Sequence, residues 1–443
     1  MKPRRFFSFL ILFIFVFGSC LADPAVVYFD PGMTHIPEGV DRYPTEQEEW
    51  RFDICLSPFY QHASGARNDL GRKVQIGDRL GHWEMFGIIW GAESGVPAGK
   101  TLQADYPYLY KVVEDSKWAN LSTDESFSSK WDFDGDYSVP VTYEKLGVRF
   151  NLDAALASGF GITIKSGIVD YKQTGSFNTT IRESAGDLTK TFLQDTLMTQ
   201  STREEMIEKD LCISLKPYET IAFEDTFVQV YWSNPFELRG KKCDNFVIVS
   251  PYVGAGVWIP TGKKKDPNKA FSLPTGHDGF LGISLEGALN FDFPDTVLIN
   301  IGGSITFFET KKLKGQRVPN HKYQAGIYPW KADIRRRYGT GWNFNFSFMG
   351  RDIIDCLTVY FDYLYSKHER DTITMAECDS ERNKIFLPCM LEEDSLWRSQ
   401  MFQLGFDYQI TPNLTFGVAG QTHISGVRVY KTHTVLGTVK FTF

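Results

Sequence analysis

The residues Gly95 to Thr101, GVPAGKT, fall one residue short of a phosphate-binding loop. That loop needs four residues between its first glycine and the Gly-Lys-Thr, so that backbone N–H groups can cradle phosphate. Here there are three, and a polar turn accounts for the segment. His277 and Asp278 form an adjacent His/acid pair, which on an exposed rim could activate water in a hydrolase. A solvated pair at a loop-to-strand junction accounts for it equally well. No HExxH zinc helix and no GxSxG nucleophile turn occurs, and no Cys/His cluster has zinc spacing. The chain therefore reads as a non-enzyme with no catalytic residues, no metal and no cofactor.

Cys378 and Cys389 lie eleven residues apart in one inter-strand stretch. In an exported chain two such thiols can form a disulfide, and closing the loop would add about 3 kcal/mol in the chain-entropy model. Two free thiols are the alternative. Cys55, Cys212, Cys243 and Cys356 are too scattered to assign a partner.

Other charged residues carry a different signal. Arg149, Glu286, Asp292, Asp362, Asp407 and Lys440 each sit between apolar neighbours in stretches that alternate strictly. Leu146, Val148, Phe150 and Leu152 flank Arg149; Leu285 and Leu289 flank Glu286; Phe361 and Tyr363 flank Asp362. In a strand successive side chains point to opposite faces, so each segment has one greasy and one polar face. In a closed membrane barrel the polar face lines the lumen, and these six residues are the expected lumen-lining set.

The positioning elements follow from that alternation. Segments of about ten residues, the length a tilted strand needs to cross a bilayer, begin near 142, 159, 221, 246, 279, 296, 341, 355, 399, 413 and 431. Tight connections at 155–159, 293–295, 350–352 and 411–413 alternate with long ones at 173–217, 262–278, 309–340 and 367–398. If the last strand ends on the short-turn side, one more strand must precede residue 142, and Arg51 to Gln61 supplies it. The prediction is an all-β, antiparallel up-and-down barrel of about twelve strands. Fourteen result if His82 to Trp90 and Tyr106 to Val113 also cross.

Residues 63–141 then form one long loop or plug. The loop stretch Asp187 to Leu211 carries helical periodicity, with Ser201 and Glu204 spaced as a capping box. It reads as a lid on the mouth or as a constriction in the lumen. Two loops are basic, at 262–269 and 311–337, and 367–394 is acidic. The basic loops are ordinary solvated charge or a contact for lipid phosphates, as in lipopolysaccharide.

The N-terminus reads as a signal peptide over 1–22. Lys2, Arg4 and Arg5 precede an apolar run from Phe6 to Phe17, and small residues precede Asp23. Cys20 after Gly18 and Ser19 also allows a lipoprotein reading. Residues 23–49 form an N-terminal segment ahead of a barrel over 50–443. Cleavage removes three positive charges and takes the net charge from −7 to −10, which speaks against a nucleic-acid partner.

The chain ends on VLGTVKFTF, where Val435, Gly437, Val439, Phe441 and Phe443 share one face. This ending resembles the C-terminal signal that bacterial outer-membrane β-barrel proteins present to their barrel assembly machinery. With the signal peptide, alternating strands and loop asymmetry, the whole mature chain resembles that class, with a porin-like architecture. The resemblance implies the outer membrane of a Gram-negative-type bacterium and a channel or passive transporter for small polar solutes. Three other readings stay open: a plugged barrel moving hydrophobic ligands, an outer-membrane hydrolase, and a structural or adhesive barrel without an open pore. The sequence leaves monomer and homo-oligomer open.

Overall fold

A computed structural model describes residues 50–80, 86–118, 137–175, 178–179, 199–239, 246–293, 296–324, 326–376 and 381–443. The signal peptide and residues 23–49 lie outside these, as does Cys378. Twelve antiparallel strands, each bonded to its sequence neighbours, close into a barrel. They are β1 (Arg51–Arg67), β2 (Val141–Ala155), β3 (Phe160–Gly175), β4 (Thr226–Ser233), β5 (Phe246–Ile259), β6 (Gly282–Phe293), β7 (Val297–Phe308), β8 (Gly341–Ile354), β9 (Leu357–His368), β10 (Trp397–Thr411), β11 (Leu414–Val427) and β12 (Val429–Thr442). The barrel closes where β12 pairs with β1, from Asp53 opposite Thr442 to Arg67 opposite Val429.

The terminal Phe443 takes part in that seam. Its N–H donates to the Phe52 carbonyl at 2.9 Å, and Phe52 N–H donates back at 3.1 Å. A closed barrel has no free edge, so its strands pair with one another all the way round the ring.

The alternation has the physical consequence the pattern demands. On β6, Ile283, Leu285 and Leu289 are exposed on the outer surface, while Ser284, Asn290 and Asp292 are buried within. The same holds on β2, where Leu146 and Val148 face out and Lys145, Arg149 and Asn151 face in. The exposed apolar residues form the outer belt of a transmembrane barrel. Among the described residues no helix is long and apolar enough to cross a membrane; strands do the crossing.

Most strands are longer than a bilayer requires, from 12 residues in β6 to 17 in β1, with β4 shorter at 8. Their outer ends continue past the apolar belt into a cap. Two connections depart from a strict short/long asymmetry. The β11–β12 turn at the outer end is tight, with Arg428 at φ 52°. On the short-turn side, Phe236–Arg239 pairs with the start of β5 and makes a longer hairpin. The β8–β9 turn also lies later than the spacing suggests: β8 runs on to Ile354, and Cys356 at φ 65° reverses the chain.

The outer loops share one apolar core. Ile88 and Ile89 of the helix Phe86–Ala92, Leu109 and Val112 of the helix Pro107–Trp118, and Met206 and Ile207 join it. Ile334 and Ile373 come from a three-stranded sheet of Thr310–Arg317, Lys331–Arg337 and Thr372–Met375. Inward-facing residues at the strand ends, including Tyr143, Tyr171, Trp397 and Tyr430, complete the core and seat it on the barrel mouth.

Candidate functional site: the barrel interior and its cap

The inner face is polar and closely packed. Arg149, Asp292, Asp362, Asp407 and Lys440 are buried there, and Glu286 is half-buried. Each has neighbours that hold it. Arg351 Nη1 donates to both Asp292 oxygens at 2.9 and 3.1 Å, Gln229 Nε2 to Glu286 at 2.8 Å, and Gln403 Nε2 to Asp362 at 3.2 Å. Lys440 Nζ lies 3.4 Å from Asp53, which also takes the Arg51 guanidinium at 2.6 Å. Asp407 lies over Gly417 on the next strand, where any added Cβ would meet its Oδ1 at 2.0 Å. Lys145, Arg149 and Lys165 stand on β2 and β3 with the carboxylates of Asp153 and Glu224 on the same side, and Asp362 and Asp407 stand on β9 and β10 across the twelve-strand ring.

The densest cluster centres on Glu224, a residue with no exposure at all. It sits where the chain bulges between Tyr218–Phe223 and β4, both of which pair with β3. Its carboxylate accepts from Lys145 Nζ at 2.5 Å, Arg149 Nε at 2.8 Å and Arg149 Nη2 at 3.0 Å. The Arg149 guanidinium also stacks over the Phe59 ring at 4.2 Å. Phe59 in turn belongs to an apolar cluster with Val169, Leu298, Met349, Tyr360, Ala419 and Leu436, drawn from seven strands. The interior therefore combines a charged wall with an apolar septum. Sequence reasoning missed Glu224. Its signal was the Glu224-Asp225 pair, which interrupts an otherwise alternating strand.

Above this level a second polar network ties strand ends to the cap. His277 Nδ1 lies 2.9 Å from Asp225, whose same oxygen accepts the His277 N–H. His368 Nε2 lies 2.9 Å from Asp371, and Arg336 Nε donates to Asp371 at 2.6 Å. Asp278, the sequence neighbour of His277, bonds Arg336 at 3.1 Å and not the histidine. His277 and Asp278 thus take separate partners. A cavity of about 20 Å³ lies between His277, Tyr338 and His368. It has room for about one water molecule and none for a substrate.

The ion pairs set the protonation of this network. Burial works to raise the Asp371 carboxyl, but Arg336, the His368 bond and the Gly339 N–H outweigh it and hold it below the usual range. Burial works to lower the Arg336 guanidinium, and Asp371 and Asp278 more than reverse it.

Arg317 holds the cap together in another way. It makes no ion pair among the described residues; its N–H groups donate to the carbonyls of Leu211, Pro267, Tyr328 and Pro329 at 2.5–3.2 Å. Burial draws its guanidinium down to about 10, so it stays charged at neutral pH. One side chain thereby pins three loops.

The remaining sequence motifs have local roles. Gly95 lets Trp330 lie against its backbone: an added Cβ would meet the indole Cδ1 at 1.7 Å. Thr101 caps the short helix Leu102–Asp105 through the Ala104 N–H, as the turn reading requires. In the 187–211 stretch the described helix begins at Gln200, and Thr199 rather than Ser201 accepts from the Thr202 N–H. The preceding half of that stretch lies outside the described residues. Cys389 is an exposed free thiol, and Cys378 lies outside the described residues, so no bridge between them is among the described contacts. Trp83 and Met85, in the insertion between β1 and β2, also lie outside. Ile88 and Ile89 are used up in the cap core.

A closed ring of twelve strands with charge inside and apolar residues outside decides the architecture. The fold is that of an outer-membrane β-barrel. Solved structures of outer-membrane proteins align along most of the chain at very low identity. An outer-membrane channel from Pseudomonas putida F1 aligns over 92% of this chain and 100% of its own, at 8% identity and TM-score 0.45. The β-domain of the Bordetella autotransporter BrkA aligns over 88% and 99%, at 7% identity and TM-score 0.33. The toluene transporter TodX of P. putida aligns over 90% of both chains, at 8% identity and TM-score 0.28. No protein-family model and no curated protein sequence matches the chain.

Proposed function

We propose that this protein is a bacterial outer-membrane transporter that passes small polar solutes through the barrel when the cap yields. The observation that carries the reading is the charged interior: Lys145 and Arg149 around Glu224 beside β2 and β3, and Asp362 and Asp407 on β9 and β10, in a lumen that a structural barrel could have filled with apolar side chains. Charges that line a lumen set its ion preference. In this reading the cap core and the Phe59 cluster close the lumen, and opening is part of the mechanism.

The test is planar-bilayer conductance of the parent and of Trp330→Ala. Trp330 packs on Gly95 and Tyr106 and donates to the Gly91 carbonyl at 3.0 Å, so its loss loosens the cap. The variant should conduct more than the parent, and Asp362→Asn with Asp407→Asn should shift selectivity away from cations. Absence of current from parent and Trp330→Ala alike would refute the reading.

The reading includes a lipid partner. Lys312, Lys314, Arg335 and Arg337 lie on one exposed face of the outer hairpin, while Leu313 and Ile334 face the core. Four cations so placed suit lipid-headgroup phosphates. Charge reversal at Lys312 and Arg335 should weaken lipopolysaccharide binding in vesicles without affecting insertion, and undiminished binding would exclude this face as the contact.

A further inference from the structure

Most of the inner wall is closely packed, and one sector is less so. At mid-barrel Lys145, Arg149, Gln229, Gln403, Gln421 and Thr434 face inward and are buried. On β6, β7 and β8 the inward residues Glu286, Ala288, Ser304, Asn343, Asn345 and Ser347 each keep part of their surface. Their strand neighbours Leu285, Leu289, Ile301, Phe344 and Phe348 point out to the belt, so the surface kept by the inward set belongs to the lumen. Unfilled space therefore lies against these three strands. Small residues help to leave it: Ala288 sits opposite Gly302, where an added Cβ would meet Asn345 Oδ1 at 2.7 Å and Ala288 Cβ at 3.1 Å.

Strand register sets the polar groups of this sector side by side. Glu286 lies opposite Ser304, Ser304 opposite Asn343, and Gly302 opposite Asn345. Asn345 Nδ2 donates to Asn300 Oδ1 at 2.6 Å, and Asn343 Nδ2 donates to Ser304 Oγ at 3.2 Å. These bonds use amide hydrogens and leave oxygens over. Asn345 Oδ1 has no partner among the described residues, and Ser304 Oγ keeps a lone pair. Glu286 accepts at Oε2 from the neutral Gln229 amide at 2.8 Å, and among the described residues no cation pairs with it. Asp292 and Glu224 differ: Arg351 holds the first, and Lys145 with Arg149 holds the second. Asp362, opposite Ser347, adds a buried carboxylate that accepts from Gln403 at 3.2 Å. The open sector thus offers acceptor oxygens, one of them on a carboxylate that no cation neutralises.

We propose that this sector docks a small solute carrying one ammonium group on a neutral polar body, such as an amino sugar. An ammonium group donates three hydrogen bonds and accepts none, which corresponds in number to Glu286 Oε1, Ser304 Oγ and Asn345 Oδ1. Hydroxyls on the body both donate and accept, which suits Asn343 and Ser347 beside them. The inference rests on the transport reading and deepens it by naming a solute class.

The test is calorimetric titration at pH 6 of the full chain in lipid nanodiscs with glucosamine, glucose and ammonium chloride. It is run on the parent and on Trp330→Ala, whose loosened cap does not bar the outer mouth. In a host that admits solute, glucosamine should bind about tenfold tighter than glucose, the contribution of one hydrogen bond to a charged group, and also tighter than ammonium. Glu286→Gln keeps the shape and removes the charge, so it should abolish the advantage of glucosamine and leave glucose as it was. Ala288→Leu removes no hydrogen bond and fills the space, so it should weaken both sugars in protein that still migrates as a folded barrel. No glucosamine binding in either host, or equal binding of glucosamine and glucose, would overturn the proposal. So would ammonium binding as tightly as glucosamine, a preference that survives Glu286→Gln, or undiminished sugar binding in folded Ala288→Leu. If Ala288→Leu does not fold, Glu286→Gln decides. A barrel that prefers glucosamine but carries no current would refute the transport reading and leave this site standing. A conducting barrel without that preference would do the reverse.

Discussion

Replacing Glu224 with Gln changes one atom type in the barrel wall and should destabilise the fold severely. The carboxylate has no exposure, and its cationic partners Lys145 and Arg149 are themselves 6% and 3% exposed. Three charge-assisted contacts at 2.5, 2.8 and 3.0 Å reach its two oxygens. Gln offers one accepting oxygen and an amide that donates, so it retains part of this set and repels the rest. Hydrogen bonds to charged groups contribute roughly 1.5–3 kcal/mol each. Removing one partner of a buried ion pair costs about 3–5 kcal/mol, because the remaining charge stays desolvated. We therefore expect a loss of about 3–5 kcal/mol in urea unfolding of the barrel reconstituted in vesicles.

A matched control separates burial from charge. Glu219 pairs with Lys172 at 3.8 Å, and both are more than half exposed. Glu219→Gln should cost less than about 1 kcal/mol, as exposed ion pairs do. High salt should reproduce the Glu219 effect and not the Glu224 effect, since buried pairs are poorly screened. A Glu224→Gln barrel no less stable than Glu219→Gln would refute the claim that this cluster holds the wall.

Three further outcomes follow from the same geometry. Leu285→Arg, on the outer belt, should cost about 2–4 kcal/mol if it lies near the bilayer midplane, whereas Glu286→Gln one residue away should leave insertion intact; equal tolerance of both in unfolding titrations would contradict the inside/outside assignment. Deleting Phe443 removes both backbone bonds to Phe52 and the ring contact at 6.4 Å, so the folded fraction in heat-modifiability gels should fall while synthesis continues; an unchanged fraction would remove Phe443 from the closing seam. Asp371 is held below the usual carboxylate range, so its stabilisation is complete above about pH 4, its unfolded value, and is lost as pH falls through the lower folded value. Hydrogen exchange over Lys331–Arg337 should rise in that acid window and not near pH 6, and Asp371→Asn should raise it above the window while changing it little within the window.

The sequence by itself determined the barrel. Period-two alternation carries the inside/outside code in each strand, so residues such as Leu285 and Asp292 disclose their faces without any knowledge of partners. Loop parity then demanded a strand before Val141, and β1 supplies it. Tertiary structure decided what the loops do. Glu224 and Arg149 are 75 residues apart, and Arg317 reaches Leu211 across 106 residues. No local pattern encodes such pairings, because loop side chains have no fixed period and meet only when the closed barrel brings the strand ends into one ring. The same reason separates His277 from Asp278. A strand reverses adjacent side chains, and the turn here, with Asp278 at φ 55°, sends one to Asp225 and the other to Arg336.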